Sequence, residues 1–342
     1  MVVTTLPLPT MLSLSERQVR LKPLVVIVGP TAVGKSLIAI DVAKRFNTEI
    51  LTADSRQVYR GMDIGTDKPS IAARQTIPHQ LIDLVDPDQS FNAGLFRHYA
   101  AAAIERLYQH RRLPLVVGGT GLYVRTLLQG LCEAPPADPT VRDQLREEAA
   151  GAQGLDRLYA RLATVDPVTA AKLHPRDTSK IIRALEVYQL SGLPMSEFQA
   201  RHGFAERPFS SLVIGLNRDR EQLYRRIEER IDSQLTNGLI DETKGLLERG
   251  YPRDSAAMKG LGYRQVAAYL AEECDRTEMV RRFKRDTRRF AKRQMTWFRG
   301  QPSITWFLLA ESEPAEQTAD RVSHVIERFL AALDQQLEST TS

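Results

Sequence analysis

Gly29-Pro30-Thr31-Ala32-Val33-Gly34-Lys35-Ser36 fits the pattern G-x-x-x-x-G-K-[ST] completely. Its chemistry is anion binding. Glycines let backbone N–H groups turn inward around a phosphate, and a following helix start adds a partial positive charge. Lys35 supplies a point charge, and the Ser36 hydroxyl is suited to hold Mg²⁺. The motif lies between the β-branched run LVVIV and the helically spaced run LIAIDVAKRF, the strand-to-helix context it requires. A di- or triphosphate is the ligand this predicts.

Triphosphate hydrolysis also needs an acid for the metal at the end of a later buried strand. PLVV, the obvious strand for it, ends in Gly118-Gly119-Thr120-Gly121, with no Asp or Glu. The carboxylate is instead Asp54 in TADSRQVY, at the end of the second predicted strand. This argues for a loop that grips the diphosphate of some other substrate. Asp54 is open to three readings: metal ligand, general base or cap of the next turn. Thr120 reads by default as a helix N-cap. Both fall at the carboxyl ends of strands, where ligands of open α/β sheets bind.

The elements that must position these residues alternate. Strands are predicted at LVVIV, EILTAD, HQLIDL and PLVV, with helices between them, one of them capped by Asn92 and running through LFRHYAAAAIERLYQH. The expected fold is α/β: a phosphate-loop parallel sheet flanked by helices, with an all-helical insertion. The insertion starts at the breaker cluster PPADP. Asp138, Asp166 and Asp177 each precede a helix in it, where the helix dipole and caps favour them. SSLVIGL restores a strand and completes the sheet, and the remainder reads as helical, ending in VSHVIERFLAALDQQL. The expected division is an extension at 1–21, a core of 22–134 with 208–312, an insertion at 135–207, and a C-terminal helix and tail at 313–342.

Apolar residues make up 42% and charged residues 26% of 342, which excludes wholesale disorder and coiled coil. No run approaches the roughly 18 apolar residues of a membrane span. Cys132 and Cys274 are isolated, which excludes a disulfide scaffold and a cysteine zinc site and suits a reducing cytosol. The first residues lack the charged start of a signal peptide. Charge is concentrated: Arg276 to Arg299 holds ten Lys or Arg against Glu278 and Asp286. That excess of eight leaves the rest of the chain at −3 within the total of +5. Phe283, Thr287, Phe290, Gln294 and Trp297 recur there at helical spacing, so one face packs and the others are basic, as an RNA-phosphate surface would be.

GPTAVGKS, ADSRQVYRGMDIGTDKP, GGTGLY, RALEVY, KGLGYRQ and AKRQMTWFR occur in this order. The set resembles the tRNA dimethylallyltransferases, or tRNA isopentenyltransferases, over residues 22 to about 300. The resemblance implies Mg²⁺-dependent transfer of a dimethylallyl group from dimethylallyl diphosphate to N6 of adenosine 37, beside the anticodon of tRNA. It implies Asp54 as the base, Thr120 as a contact to the target nucleotide, and Lys35 with Arg220 at the diphosphate. Arg218 is the alternative to Arg220. Further tRNA contacts fall on Asp54, Ser55, Arg56 and Gln57, on Arg142, and on Ser179, Lys180, Ile181, Ile182 and Arg183. Others fall on Lys259, Gly260, Leu261, Gly262, Tyr263 and Arg264, and on Arg289, Lys292, Arg293 and Gln294. Lys180 stands where the family often has Arg, which keeps the charge and loses the fork. No Cys or His pairs follow Gln294, so the chain is similar to the bacterial or organellar form without a zinc finger. A cytoplasmic monomer is expected. The rival readings are a small-molecule kinase with the same loop, an isopentenyltransferase acting on a free adenine nucleotide, and an RNA-binding protein with a relict loop.

Overall fold

The computed structural model describes residues 14–15, 21–301 and 303–340. The chain divides into two compact units, Met1–Leu128 with Pro208–Ser342, and Gln129–Arg207.

In the first unit, β1 (Pro23–Val28) is buried along its whole length, as expected of a central parallel strand. Around it β2 (Ile50–Ala53), β3 (His79–Gln80), β4 (Leu115–Gly118), β5 (Ser210–Arg218) and β6 (Ile304–Leu309) form a sheet of order β3-β2-β4-β1-β5-β6. Every pairing is parallel. The register places Val28 beside Gly118 and Gly215, and Ala53 beside Gly118. The loops that follow β1, β2 and β4 therefore leave from one row at one edge. A side chain at Gly118 would collide with the Ala53 carbonyl, so only glycine allows this close approach.

Two strands depart from the sequence reading. HQLIDL yields only the two residues of β3, because Leu81 (φ 66°) and Asp83 (φ 54°) turn left-handed. Asp83 is engaged instead by Lys68 at 2.6 Å and Arg74 at 2.8 Å. The sheet is also not completed by SSLVIGL. β6 adds a sixth strand whose exposed Trp306 and Leu308 alternate with buried Phe307 and Leu309, the pattern of a covered face and an open one. A six-residue apolar run directly behind a long helix carries too weak a period to be separated from it.

α1 (Lys35–Arg45) starts at Gly34 (φ 110°) with no side-chain cap, so its first N–H groups are not satisfied by a cap. It buries Ile38, Ala39, Val42 and Ala43, and packs against α14 (Ala315–Thr340). α2 (Ile71–Thr76) precedes β3, and α3 (Ala93–Gln109) starts at Asn92, whose side chain accepts Leu95 N–H at 3.0 Å. α4 (Gly121–Gln129) follows β4. Most of the expected 1–21 extension lies outside the described residues. Leu14 is described: it is buried, and its N–H donates to the Arg111 carbonyl at 3.1 Å.

The second unit holds α5 (Pro139–Ala150), α6 (Gly154–Val165), α7 (Pro167–Ala170), α8 (Thr178–Ser191) and α9 (Met195–His202) around its own core of Leu145, Leu158, Leu162, Ile181 and Leu185. Asp138 and Asp166 cap α5 and α7 through Val141 N–H and Thr169 N–H. Asp177 makes no side-chain cap and pairs with Lys180 at 3.1 Å. Glu186 is wholly buried and accepts from Asp138 N–H, Arg142 and Arg183. Burial alone would raise its pKa, and these donors hold it below the usual carboxylate range.

The chain returns to the first unit through β5. There follow α10 (Arg220–Thr236), α11 (Leu239–Glu248), α12 (Tyr263–Leu270) and α13 (Arg276–Arg299). No helix among the described residues is long and apolar enough to cross a membrane.

Candidate active site at the carboxyl edge of the sheet

The row of strand ends opens into a cavity of about 730 Å³. Thr31, Ala32, Gly34 to Ser36, Asp54 to Gln57, Gly118 to Thr120, α10 and α13 all contribute to its lining. Within the loop, Lys35 Nζ donates to the Gly29 carbonyl at 3.0 Å and the Pro30 carbonyl at 2.8 Å. Burial pushes its ammonium down to about 8. Asp54 and Asp67 draw it back up, and Arg230 lowers it further. An anion seated in the loop would restore the charge.

Asp54 follows β2 and holds its own turn. Oδ1 accepts Arg56 N–H at 2.7 Å and Gln57 N–H at 3.3 Å, so the capping reading describes that oxygen. Oδ2 has no hydrogen-bond partner among the described residues. Thr120 lies directly before α4, and its hydroxyl accepts Ser55 N–H at 3.0 Å. That bond ties the loop after β4 to the loop after β2, so Asp54 and Thr120 are brought together as one wall.

The arginines are arranged differently from the sequence expectation. Arg220 is exposed, donates to the Tyr224 hydroxyl at 3.2 Å, and is absent from the cavity lining. Arg218 donates to the Val33 carbonyl at 2.9 Å, bracing the loop from behind. The side chains that reach the cavity are Arg226 and Arg230, one helical turn apart on α10. Arg226 donates to the Ala32 carbonyl at 3.0 Å and Arg230 to the Thr31 hydroxyl at 2.7 Å. Arg230 Nε is buried without a partner, a donor waiting for an acceptor. Sequence reasoning passed over RRIEER because an i, i+4 arginine pair resembles any charged helix face. The spacing that puts both on one turn was the available signal.

Glu242 is a second unforeseen residue. Its carboxylate accepts N–H groups of Asp63, Ile64 and Gly65, and the Tyr263 hydroxyl at 2.6 Å. The MDIGTD loop and the GLGYR turn are thereby pinned to each other. Tyr263 is buried by this contact, and its phenol is pushed far above its ordinary pKa by burial and by Glu242. Gln57 Nε2 donates to the Thr66 and Asp67 carbonyls, and Arg56 to the Ala256 carbonyl. Lys259 is exposed at the cavity, and Arg264 pairs with Asp286 at 2.9 Å.

Several expected RNA contacts have other work. Gln294 is buried: Oε1 accepts Thr31 N–H at 2.8 Å and Nε2 donates to the Gly119 carbonyl at 2.9 Å. Its amide is spent inside the protein. Ile181 and Ile182 lie in the core of the helical unit, so Ser179, Lys180 and Arg183 carry the polar groups of that segment. Arg183 and Arg142 are both tied to Glu186.

The basic helix is neutralised unevenly. Arg281 and Arg282 pair with Glu278, Lys284 with Asp232, Arg285 with Asp286, and Arg288 with Glu228. Arg276 at its start, and Arg289, Lys292, Arg293 and Arg299 in its second half, have no carboxylate partner among the described residues. Arg293 stacks over Phe290 at 5.9 Å and lines the cavity. Uncompensated charge is therefore gathered in the second half of α13.

A phosphate loop without an acid after β4, sharing a cavity with a carboxylate after β2 and with several cations, defines a transferase site for a phosphorylated donor. A sequence model of the IPP transferase family matches residues 57–301. A tRNA dimethylallyltransferase 2 of Geotalea uraniireducens is 50% identical over 306 residues, 90% of this chain and 97% of that protein. A tRNA dimethylallyltransferase of Geobacter metallireducens is 50% identical over 283 residues, covering 83% and 91%. Among solved structures, the full-length tRNA isopentenylpyrophosphate transferase of Bacillus halodurans aligns with TM-score 0.70 and 36% identity over 93% of this chain and 99% of its own. A eukaryotic dimethylallyltransferase acting on tRNA aligns with TM-score 0.78 and 27% identity over 91% and 80%. The chain belongs to the IPP transferase family.

Proposed function

We propose that this enzyme transfers a dimethylallyl group from dimethylallyl diphosphate to N6 of adenosine 37, beside the anticodon of tRNA, releasing diphosphate. The observation that carries the reading is that one cavity is lined by Lys35 and Arg230 together with Asp54 and Thr120. The bond that breaks is allyl C–O, and the bond that forms is C–N6. Lys35, Arg226 and Arg230 stabilise the charge that develops on the departing diphosphate. The acceptor amine is a weak nucleophile because its lone pair is conjugated into the ring. Asp54 accepts a hydrogen bond from it through Oδ2 and takes its proton as the C–N bond forms. Thr120 orients the nucleotide beside that carboxylate.

The residues present fit Mg²⁺. Ser36 supplies a hard hydroxyl donor beside the phosphate loop in the same cavity. That donor set suits an ion held largely by water and substrate phosphate. When bound, Mg²⁺ would neutralise the diphosphate as a leaving group.

An adenine stacked in an anticodon loop must be turned out to reach this depth. Arg289, Lys292 and Arg293 provide phosphate contacts at the rim, with Phe290 for stacking. The proposed enzyme acts on this substrate as a monomer in the cytoplasm.

The test is labelled dimethylallyl diphosphate with Mg²⁺ and unmodified tRNA carrying adenosine at position 37. Label should enter that tRNA, and D54A should abolish transfer while tRNA still binds. Labelling of AMP instead, or ATP turnover without tRNA labelling, refutes the proposal.

A further inference from the structure

Thr287 has a hydroxyl that the fold itself does not use. It sits mid-way along α13, is only 1% exposed, and lines the cavity. Its Oγ1 is buried with no hydrogen-bond partner. Threonines in helices commonly return the hydroxyl to the preceding turn, as Thr296 does to the Lys292 carbonyl at 3.1 Å on the same helix. Thr287 does not. A buried, unpaired hydroxyl destabilises the empty protein, so its natural explanation is a ligand acceptor or donor.

Position and chemistry narrow the ligand. Seven residues, two helical turns, separate Thr287 from Gln294, whose amide meets the phosphate loop at Thr31. At the usual rise this is roughly 10 Å along the axis from the amide that meets the loop. Under the function proposed above, on which this rests, Lys35, Arg226 and Arg230 take the diphosphate, which leaves the prenyl chain and the acceptor base. The prenyl chain is hydrocarbon and has nothing to offer a hydroxyl. A purine edge does, and Phe283 and Phe290, one turn to either side of Thr287 and also in the lining, supply aromatic faces for it.

We propose that the Thr287 hydroxyl is a specificity-determining contact to a ring nitrogen of the acceptor purine. It satisfies itself only when the base is turned into the cavity, and it disfavours bases whose edge cannot complete the bond.

The test compares T287V and T287S with the wild type, on anticodon stem-loops carrying adenosine, 1-deaza-, 3-deaza- or 7-deazaadenosine at the acceptor position. T287V should lose about tenfold in kcat/KM for the adenosine stem-loop. Its KM for dimethylallyl diphosphate should not change, and its melting temperature should not fall. T287S, which keeps the hydroxyl, should restore the rate. One deaza substrate should be equally poor with the wild type and lose nothing further with T287V. Wild-type activity in T287V overturns the proposal, as does a loss that falls on the diphosphate KM. So does a T287V loss that recurs in full with every deaza base, or a fall in melting temperature that accounts for the loss. A wild-type enzyme that modified no stem-loop would overturn the proposed function, and this inference with it.

Discussion

The side-chain carbonyl of Gln294 accepts the backbone N–H of Thr31 at 2.8 Å, so the basic helix and the phosphate loop are held by one amide. The other end of that amide donates to Gly119, which precedes Thr120. Gln294 thus sets the spacing between the phosphate loop and the loop that carries Thr120. Q294A would leave a donor and an acceptor unmade, at a cost of about 1–3 kcal/mol. Q294E keeps the bond to Thr31 but sets a carboxylate against the Gly119 carbonyl. Both variants should lose kcat with tRNA affinity retained, read by steady-state kinetics beside a filter-binding titration. Weakened tRNA binding at unchanged kcat would return Gln294 to the role of an RNA contact.

The depressed pKa of Lys35 has a pH signature. Below about 8 the free site holds the ammonium, and above it the neutral amine, which a diphosphate binds less well. kcat/KM for dimethylallyl diphosphate should therefore fall as pH rises through about 8. K35R, whose guanidinium stays charged, should be weaker throughout and lack that limb. A flat profile from pH 7 to 9.5 in the wild type would contradict this.

Arg230 and Arg220 differ in position and should differ in effect. R230A should raise the KM for dimethylallyl diphosphate about 10–100-fold, the range of a lost charge-assisted hydrogen bond. R220A should remain within about twofold of the wild type. The pair can be measured in one assay, and equal effects would mean that Arg220 swings into the site.

The two halves of α13 can be separated by salt. Replacing Lys292 and Arg293 by alanine should reduce the slope of log affinity against log salt by roughly 1.4–1.8. Replacing Arg281 and Arg282, both already on Glu278, should leave the slope close to wild type. The reverse order would place the RNA on the first half.

Legibility in the sequence followed the length scale of each constraint. The phosphate loop was readable because anion binding demands glycines and a lysine within eight residues of chain. Asp54 and Thr120 were readable as strand-end residues, since parallel strands must all deliver their loops to one edge. Arg230 and Glu242 were not, because their meaning depends on which face of α10 or α11 turns inward. Gln294 was assigned to RNA as part of a basic segment. Periodicity marks it as an inward residue, yet it cannot say that the amide closes on Thr31 and Gly119. β3 shortened where Leu81 and Asp83 adopt positive φ, a preference that neither residue type advertises.

The helical unit encloses its own apolar core and its own buried carboxylate, Glu186, satisfied entirely by residues of that unit. Such a segment has what it needs to melt as a cooperative body of its own. Calorimetry should accordingly resolve more than one endotherm rather than a single two-state transition. Acidification should reach the Glu186 endotherm through its carboxylate, whose lowered pKa contributes stability above the ordinary carboxylate value that is lost as pH falls through the folded one. One chain would then report two melting events, and the pH at which the helical unit's event moves would read out a single buried carboxylate.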